Sequence, residues 1–385
     1  MTRRSRRSAS ALLLLIATGC TNGTTEGDRP VVRIALEAPI TGEQASNGVD
    51  MLQGARLAVE EANAEGGALD RRIELMPLDD QADPEVGVEV ADEAVDSGAF
   101  AVVGPYNSSV GVENLSIYLD GGVIPIHLTS DSATNGQGFT VQPKDYQIAP
   151  IEAEAISGFF EAQRVAVLYD PSTYTEGIAT ELRRLLEGAG VTIVAFERAQ
   201  PGASQNALVR RILAEEPDLF YASTYFPQGA RIAQEILDLG TPTTCLMGLA
   251  NQDPGFVEQA GLEAARACAS SGVPEAAEFP QAQGYVDDYR ARFGTDPGTW
   301  GTFTYDSVKL LFDAVRRAGS WDSAEVRDEL AATEGYEGLT GTITIDESTG
   351  NRVDIPVVIL QVTDEGRYVV DPEWAQFAGF GAQST

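Results

Sequence analysis

The sequence predicts an α/β protein made of two doubly wound parallel sheets, and three observations predict it. At 385 residues with 43% hydrophobic composition, the chain is long enough for two cores at roughly 100 to 200 residues per domain. Strand-like and helix-like runs alternate from residue 31 onward, the pattern of a parallel sheet covered by helices on both faces. The same rhythm restarts after residue 145, so two successive α/β halves emerge.

In the first half VVRIAL (31–36) reads as a strand, and Leu52, Ala55, Val59 and Ala62 then recur at helical spacing until Glu65-Gly66-Gly67 ends the helix. IELMPL (73–78) is the next strand, and Asp83-Pro84 opens a helix in which Val86, Val90 and Ala94 share a face and which Gly98 closes. FAVVG (100–104), a helix to about Asp120 and VIPIH (123–127) complete this half. The second half begins with a helix over about 147–161. Strands RVAVLYD (164–170), VTIVAF (191–196), DLFYAS (218–223) and TCLMG (244–248) follow, separated by helices carrying Leu182 and Leu186, Leu208 and Ile212, and Ile232 and Ile236.

The tail breaks the alternation. Helices at about 281–293, 302–318 and 323–332 precede GTITID (341–346), VDIPVVILQV (353–362) and RYVV (367–370). Consecutive strands without intervening helices read as antiparallel hairpins, so the chain is expected to recross between its halves.

Arg3, Arg4, Arg6 and Arg7 precede a short apolar run, Ala11 to Ile16, and then Ala17-Thr18-Gly19-Cys20. This is an export signal, with an apolar run far shorter than the roughly 20 residues a spanning helix needs. Small residues directly before a cysteine make residues 1–20 a lipoprotein signal peptide and Cys20 the lipidated N-terminus; the alternative is an incidental cysteine near an ordinary cleavage site. Residues 21–30, TNGTTEGDRP, are polar and aperiodic and read as a flexible tether. No later segment is apolar enough to cross the bilayer, so membrane attachment is expected through the lipid alone, on the outer face of the cell membrane.

The formal charge is −32, about −36 without the four signal arginines, which argues against nucleic acid or anionic lipid as partners. Cys245 and Cys268 are an even pair in an oxidising compartment, each in a strand-like run, and a disulfide between them is plausible. Two thiols and the single histidine, His127, provide neither a metal cluster nor a triad; His127 reads as a strand residue. No nucleophile with a base and no phosphate-cradling loop has usable spacing, so no enzyme activity, metal or cofactor is expected.

Over about residues 31–370 the chain resembles the branched-chain-amino-acid-binding proteins of ABC importers, which have the type I periplasmic-binding fold. The stretches that carry this, in order, are IALEAPITG, GARLAVEEANAEGG, DDQADPEVGVEVADEAV, VVGPYNSS, GVIPIHLTS, VAVLYDPSTYTEG, and YDSVKLLFDAV followed by GLTGTITIDESTGN. The resemblance implies a three-crossover hinge near Lys144–Tyr146, Gly272–Pro274 and Asp346–Thr349. One lobe would then comprise 31–144 plus 274–346, and the other 145–273 plus 347–385. It also implies that the lobes close on a small ligand, an amino acid or related polar solute, which is delivered to an ABC permease.

In open α/β sheets ligands sit beyond the carboxyl ends of strands. Pro105-Tyr106-Asn107-Ser108-Ser109 offers hydroxyls and unpaired amides at a helix start, suited to a carboxylate, and Ser108 matches the family serine that holds it. Thr129 and Ser130 match the family's short head-group residues, while Asp131 stands where a hydroxyl residue is usual. Tyr174 and Tyr225 fall where the family has tyrosines that cover the ligand. The departure is Gly248-Leu249-Ala250-Asn251: amino-acid-binding relatives carry at Ala250 a Glu that pairs with the ligand ammonium. Either Asp131 takes that role, or the ligand is an amide, a urea or a carboxylate without an ammonium, which Asn251 would suit. Asn47 is expected at the cleft mouth, beyond Thr41-Gly42, and Tyr305 near the hinge. A sensory module of the same fold is the rival function; an importer component fits better a chain that reads as signal, tether and one binding unit.

Overall fold

The computed structural model describes residues 29–199 and 205–379. The first sheet contains four parallel strands, β1 (Val31–Ala38), β2 (Arg72–Asp79), β3 (Ala101–Val103) and β4 (Ile124–Ile126), in the spatial order β2-β1-β3-β4. They are linked by α1 (Ala45–Ala64), α2 (Pro84–Asp96) and α3 (Ser108–Asp120). Alternate residues of β1 face opposite ways. Ile34 and Leu36 join Met51, Ala55 and Val59 of α1 in the main core, while Ala35 joins Ala91, Ala94 and Leu115 of α2 and α3 in a second cluster. Both faces are therefore covered, which is why these strands read as nearly continuous apolar runs. In α2 the Asp83 carboxylate caps the Glu85 amide with Pro84 in the first turn, as the Asp-Pro pair predicts, but the buried face is Gly87, Ala91 and Ala94, with Val90 only half-buried beside it.

From β4 the chain enters the second sheet through α4 (Asp145–Glu154), which continues as one π-helical turn over Ala155–Phe159. Five parallel strands follow: β5 (Arg164–Tyr169), β6 (Thr192–Arg198), β7 (Leu219–Ser223), β8 (Thr244–Met247) and β9 (Cys268–Gly272). Helices α5 (Thr173–Gly188), α6 (Asn206–Leu213), α7 (Phe226–Leu239), α8 (Pro254–Ala260) and α9 (Leu262–Ala267) connect them. The chain then returns to the first sheet as α10 (Gln283–Phe293), α11 (Thr299–Ala318), which packs along α1, and α12 (Ser323–Ala331). A small antiparallel hairpin, β10 (Tyr336–Gly338) and β11 (Gly341–Ile343), comes next. Finally β12 (Val358–Val362) and β13 (Tyr368–Val370) add two antiparallel strands to the second sheet beside β9, and α13 (Pro372–Ala378) follows.

The tail differs from the sequence expectation in detail. Only 341–343 of GTITID is strand, pairing with β10, which the periodicity does not reveal. Only 358–362 of VDIPVVILQV is strand, because Pro356 has no N–H to give a ladder and Asp354 sits at φ 55°. The ladders 341–343 and 358–362 lie in different sheets, but the near ends of the two segments do pair antiparallel, with Ile345 bridging Arg352 and the Val353 amide donating to Thr344 O at 2.9 Å. The pair of β12 with β13 is the expected hairpin. Helices α8 and α13 were also not expected, although Asp253-Pro254 and Asp371-Pro372 repeat the cap-and-proline start of α2.

The segments joining the sheets bond to one another. Thr140 donates its amide to Gly350 O at 2.9 Å and accepts from the Arg352 amide at 2.9 Å, and Gln147 Nε2 donates to Arg352 O at 3.1 Å. Lys144 is fully buried, its ammonium donating to Asp131 O (2.7 Å), Thr134 Oγ1 (2.8 Å) and Thr129 O (3.2 Å). Burial pushes its pKa down to about 8, against the opposing pull of Asp145 and Asp131. The ammonium thus pins the loop after β4 to the first crossing. The export signal, the tether and Cys20 lie outside the described residues.

Cys245 and Cys268 are direct partners in the register of β8 and β9 and form a disulfide closing a sequence separation of 23. A loop of that length restricts the unfolded chain by about 3 kcal/mol. Replacing both cysteines by serine is expected to lower the thermal unfolding midpoint by several degrees in calorimetry, with the far-ultraviolet circular dichroism of the folded protein unchanged.

Candidate functional site

The carboxyl ends of the two sheets converge on a narrow, partly open cavity of about 10 Å³. From the first-sheet side come Tyr106 and Ser108 after β3, Leu128 and Ser130 after β4, and Gln142 from the first crossing. Trp300, in the first turn of α11, completes that side. From the second-sheet side come Tyr174 after β5, Tyr225 after β7, and Leu249 and Ala250 after β8. Each loop is where a parallel strand releases its chain, the expected ligand position in an open α/β sheet.

Four aromatic rings span the junction of the two sides. Trp300 lies 5.3 Å from Tyr106, Tyr106 6.2 Å from Tyr225, and Tyr225 6.3 Å from Tyr174. Tyr225 also borders a wide outer groove lined by Glu43, Asn107, Asp170, Arg231 and Glu235, so this ring stands between the cavity and that groove. Ser46 of α1 meets Asp253, the cap of α8, at 2.7 Å, and the two sides are therefore closed on each other.

Ser108 is the first residue of α3, and the side chain of the preceding Asn107 caps nothing; its Nδ2 donates to Gln44 Oε1 at 3.0 Å. The first-turn amides of α3 therefore keep no side-chain partner, and a helix start of this kind favours an anion. Ser108 Oγ accepts from the Asp131 amide at 3.2 Å and still has its own proton to donate. Ser130 Oγ donates to Pro143 O at 2.8 Å and accepts from Gln142 Nε2 at 3.0 Å. Burial raises the phenol pKa of Tyr106 and Tyr174 well above the ordinary value, so both remain neutral and able to donate. No residue bordering the cavity is charged.

Ser108, Ser130, Tyr174 and Tyr225 are brought together at the cavity, and Ala250 borders it. The other expected residues are placed differently. Thr129 Oγ1 is turned to His127 Nδ1 (2.9 Å) and Thr134 Oγ1 (2.7 Å), behind the wall. Asn251 Nδ2 donates to Thr224 O at 2.7 Å, and its side chain lies against Gly229 of α7, where a Cβ would collide with it. Asp131 Oδ1 caps the Ala133 amide at 2.7 Å, while its other oxygen faces Gly177 across the cleft. Asn47 is buried in α1 and does not border the cavity. Tyr305 points along α1, its hydroxyl bonded to Glu61 Oε2. Backbone groups claim Asn251 and Asp131, and other side chains claim Thr129 and Tyr305, which sequence position alone does not reveal. His127 is a buried residue at the end of β4, held neutral because burial and Lys144 lower its pKa.

Tyr106, Leu128, Gln142, Leu249 and Trp300 border the cavity without having been singled out in the sequence. Trp300 was missed because α11 begins at Thr299, not near 302, which places this buried residue in the first turn of the helix. Gln142 had no readable signal, since it precedes a proline in an irregular crossing.

The periplasmic binding protein family model matches residues 31–367. The chain belongs to the periplasmic binding protein family. It is a solute-binding protein, not an enzyme. A Leu/Ile/Val-binding protein of Rhizobium johnstonii is 29% identical over 76% of this chain and 81% of its own length. The leucine-, isoleucine-, valine-, threonine- and alanine-binding protein of Pseudomonas aeruginosa is 29% identical over 82% of this chain and 86% of its own. Among solved structures, the branched-chain amino acid transporter substrate-binding protein LivJ of Streptococcus pneumoniae, in complex with isoleucine, superposes with a TM-score of 0.81 at 27% identity, covering 89% of this chain and 99% of that one.

Asp80, Glu152 and Asp253 of this binding protein are buried and Glu275 is half-buried. Desolvation, the largest cause in each, pushes Asp80, Glu152, Asp253 and Glu275 up to about 7. Between about pH 4 and 7 the folded state then holds protons the unfolded chain has lost, so stability falls as pH rises through that window and levels off above it. His127, unprotonated when folded, opposes this below its ordinary pKa with a single proton. The unfolding midpoint is expected to be higher near pH 5.5 than near pH 8, as read by calorimetry; a higher midpoint near pH 8 would show that these carboxyls ionise freely in the fold.

Proposed function

We propose that the chain is the exported solute receptor of an ABC importer, that it captures an aliphatic α-amino acid of the leucine, isoleucine and valine class, and that it hands this ligand to the permease. The observation that carries this reading is the composition of the cavity wall. Hydroxyl groups and a helix start lie on its first-sheet side, and Leu128, Leu249 and four aromatic rings supply apolar wall. Such a wall rewards a branched aliphatic side chain by roughly 25 cal/mol per Å² of apolar surface removed from water. The names of the relatives at 27% and 29% identity support the same ligand class.

In this mechanism the ligand carboxylate docks first on the first-sheet side, at Ser108 and the start of α3. Tyr174 and Tyr225 then close over it from the second-sheet side. Lobe boundaries of 31–144 plus 274–346 and 145–273 plus 347–385 agree with the membership of the two sheets. Hinge motion would be concentrated where 140–147 and 350–352 run side by side. Export through the N-terminal signal and lipid attachment at Cys20 would keep the receptor on the outer face of the membrane, beside its permease; no helix among the described residues is long and apolar enough to cross a membrane.

A thermal-shift screen of the mature chain against amino acids, short amides, urea and small carboxylates tests the reading. Leucine, isoleucine or valine should give the largest shift, since ligand at about 100 times its dissociation constant stabilises by about 2.7 kcal/mol. A shift only with amides, urea or carboxylates lacking an ammonium would refute the amino-acid assignment. Ser108→Ala is expected to weaken leucine binding by more than about tenfold in titration calorimetry, and an unchanged affinity would remove Ser108 from the carboxylate site.

A further inference from the structure

An α-amino acid brings an ammonium group into the cavity, yet no carboxylate borders it. We infer that the carboxamide oxygen of Gln142 accepts the ligand ammonium, and that this residue makes the cavity select an amino acid over its deaminated analogue; the inference rests on the amino-acid reading above.

Gln142 borders the cavity and is 1% exposed. Two neighbours fix which way its amide points. Its Nε2 donates to the Leu128 carbonyl and to Ser130 Oγ. A carbonyl oxygen can only accept, so the branch facing Leu128 must be the nitrogen. The Ser130 hydroxyl spends its single proton on Pro143 O, so it too requires a donor from Gln142. Oε1 is thereby forced onto the free branch, where it is fully buried and has no partner. Buried acceptors are almost always satisfied, and a ligand N–H is the partner the cavity can supply. Trp300 Nε1, the other fully buried polar atom of a bordering side chain without a partner among the described residues, is a donor and cannot serve an ammonium.

The placement suits the ligand's connectivity. The ammonium and carboxylate of an α-amino acid hang from one carbon, so their partners must share one wall. Ser108 and Gln142 do so, joined through Asp131, whose amide bonds Ser108, and Ser130, which bonds Gln142. The neighbouring acids are otherwise engaged. Asp131 caps Ala133, Glu152 accepts from Tyr221 at 2.8 Å, and Asp253 holds Ser46 and the Gly255 amide; none of the three borders the cavity. Cation–π attraction from the bordering rings of Tyr106, Tyr174, Tyr225 and Trp300 would add to what a neutral oxygen supplies.

The test compares leucine with 4-methylpentanoate, which lacks only the ammonium, in titration calorimetry on the mature wild-type chain and on Gln142→Met, which keeps the side-chain length. Wild type should prefer leucine by at least about tenfold. The variant should lose about tenfold or more on leucine while changing about twofold or less on 4-methylpentanoate. Equal losses on both ligands would make Gln142 a structural residue and overturn the inference while leaving the amino-acid reading intact. If wild type binds none of leucine, isoleucine and valine, the amino-acid reading fails and the inference falls with it. Should the variant not fold, a crystal structure of the wild-type leucine complex decides: a ligand nitrogen at about 3 Å from Oε1 supports the inference, and a nitrogen bonded to a different acceptor overturns it.

Discussion

A parallel strand cannot turn directly back on itself, and the rest of this structure depends on that constraint. Each of β1 to β4 and β5 to β9 must leave its sheet by a loop at the same edge and return through a crossover, so every loop that follows a strand gathers on one edge. The two sheets present those edges to each other. The binding cavity therefore arises from connectivity before any particular side chain is considered. Sequence sets what fills it: serines and a helix start on one side, tyrosines on the other, leucines and a tryptophan between.

Closing such edges together buries many backbone and side-chain polar groups away from water, and each must find a partner. Lys144 carries much of this burden. Its ammonium satisfies two carbonyl oxygens and a hydroxyl in the loop after β4, and the same bonds keep that loop against the first crossing. Arg352 does the corresponding work at the third crossing, its guanidinium donating to Val141 O, Thr340 O, Thr342 O and Thr340 Oγ1. Thr340 in turn donates to the buried Asp306 of α11 at 2.7 Å. Lys144 and Arg352 are thus buried cations that hold backbone where the chain crosses between the sheets.

The same accounting explains which expected site residues reach the cavity. Ser108 and Ser130 reach it because their loop backbones need only part of what a hydroxyl can give. Thr129 and Asn251 do not, because His127 and Thr134 claim one and the Thr224 and Gly248 carbonyls claim the other. Asp131, considered as a replacement for the carboxylate missing at Ala250, is the cap of a short turn. An Asp two residues before an unpaired amide serves that amide first, because the bond is local and costs no long-range ordering.

The sequence by itself determined the alternation of strands and helices through β8, the two-sheet organisation, the return of the tail across both sheets, and the loops where a ligand would sit. It could do so because apolar periodicity and cap residues such as Asp83-Pro84 act over a few neighbouring positions. Only the tertiary structure decided which side chains in those loops face the cavity, that Gln142 and Trp300 border it, and that the residues of 341–343 and 358–362 belong to different sheets. Those outcomes depend on hydrogen-bond partners in irregular loops, such as one 27 residues away for Asn251, and on which loops the fold packs together, and apolar periodicity encodes neither.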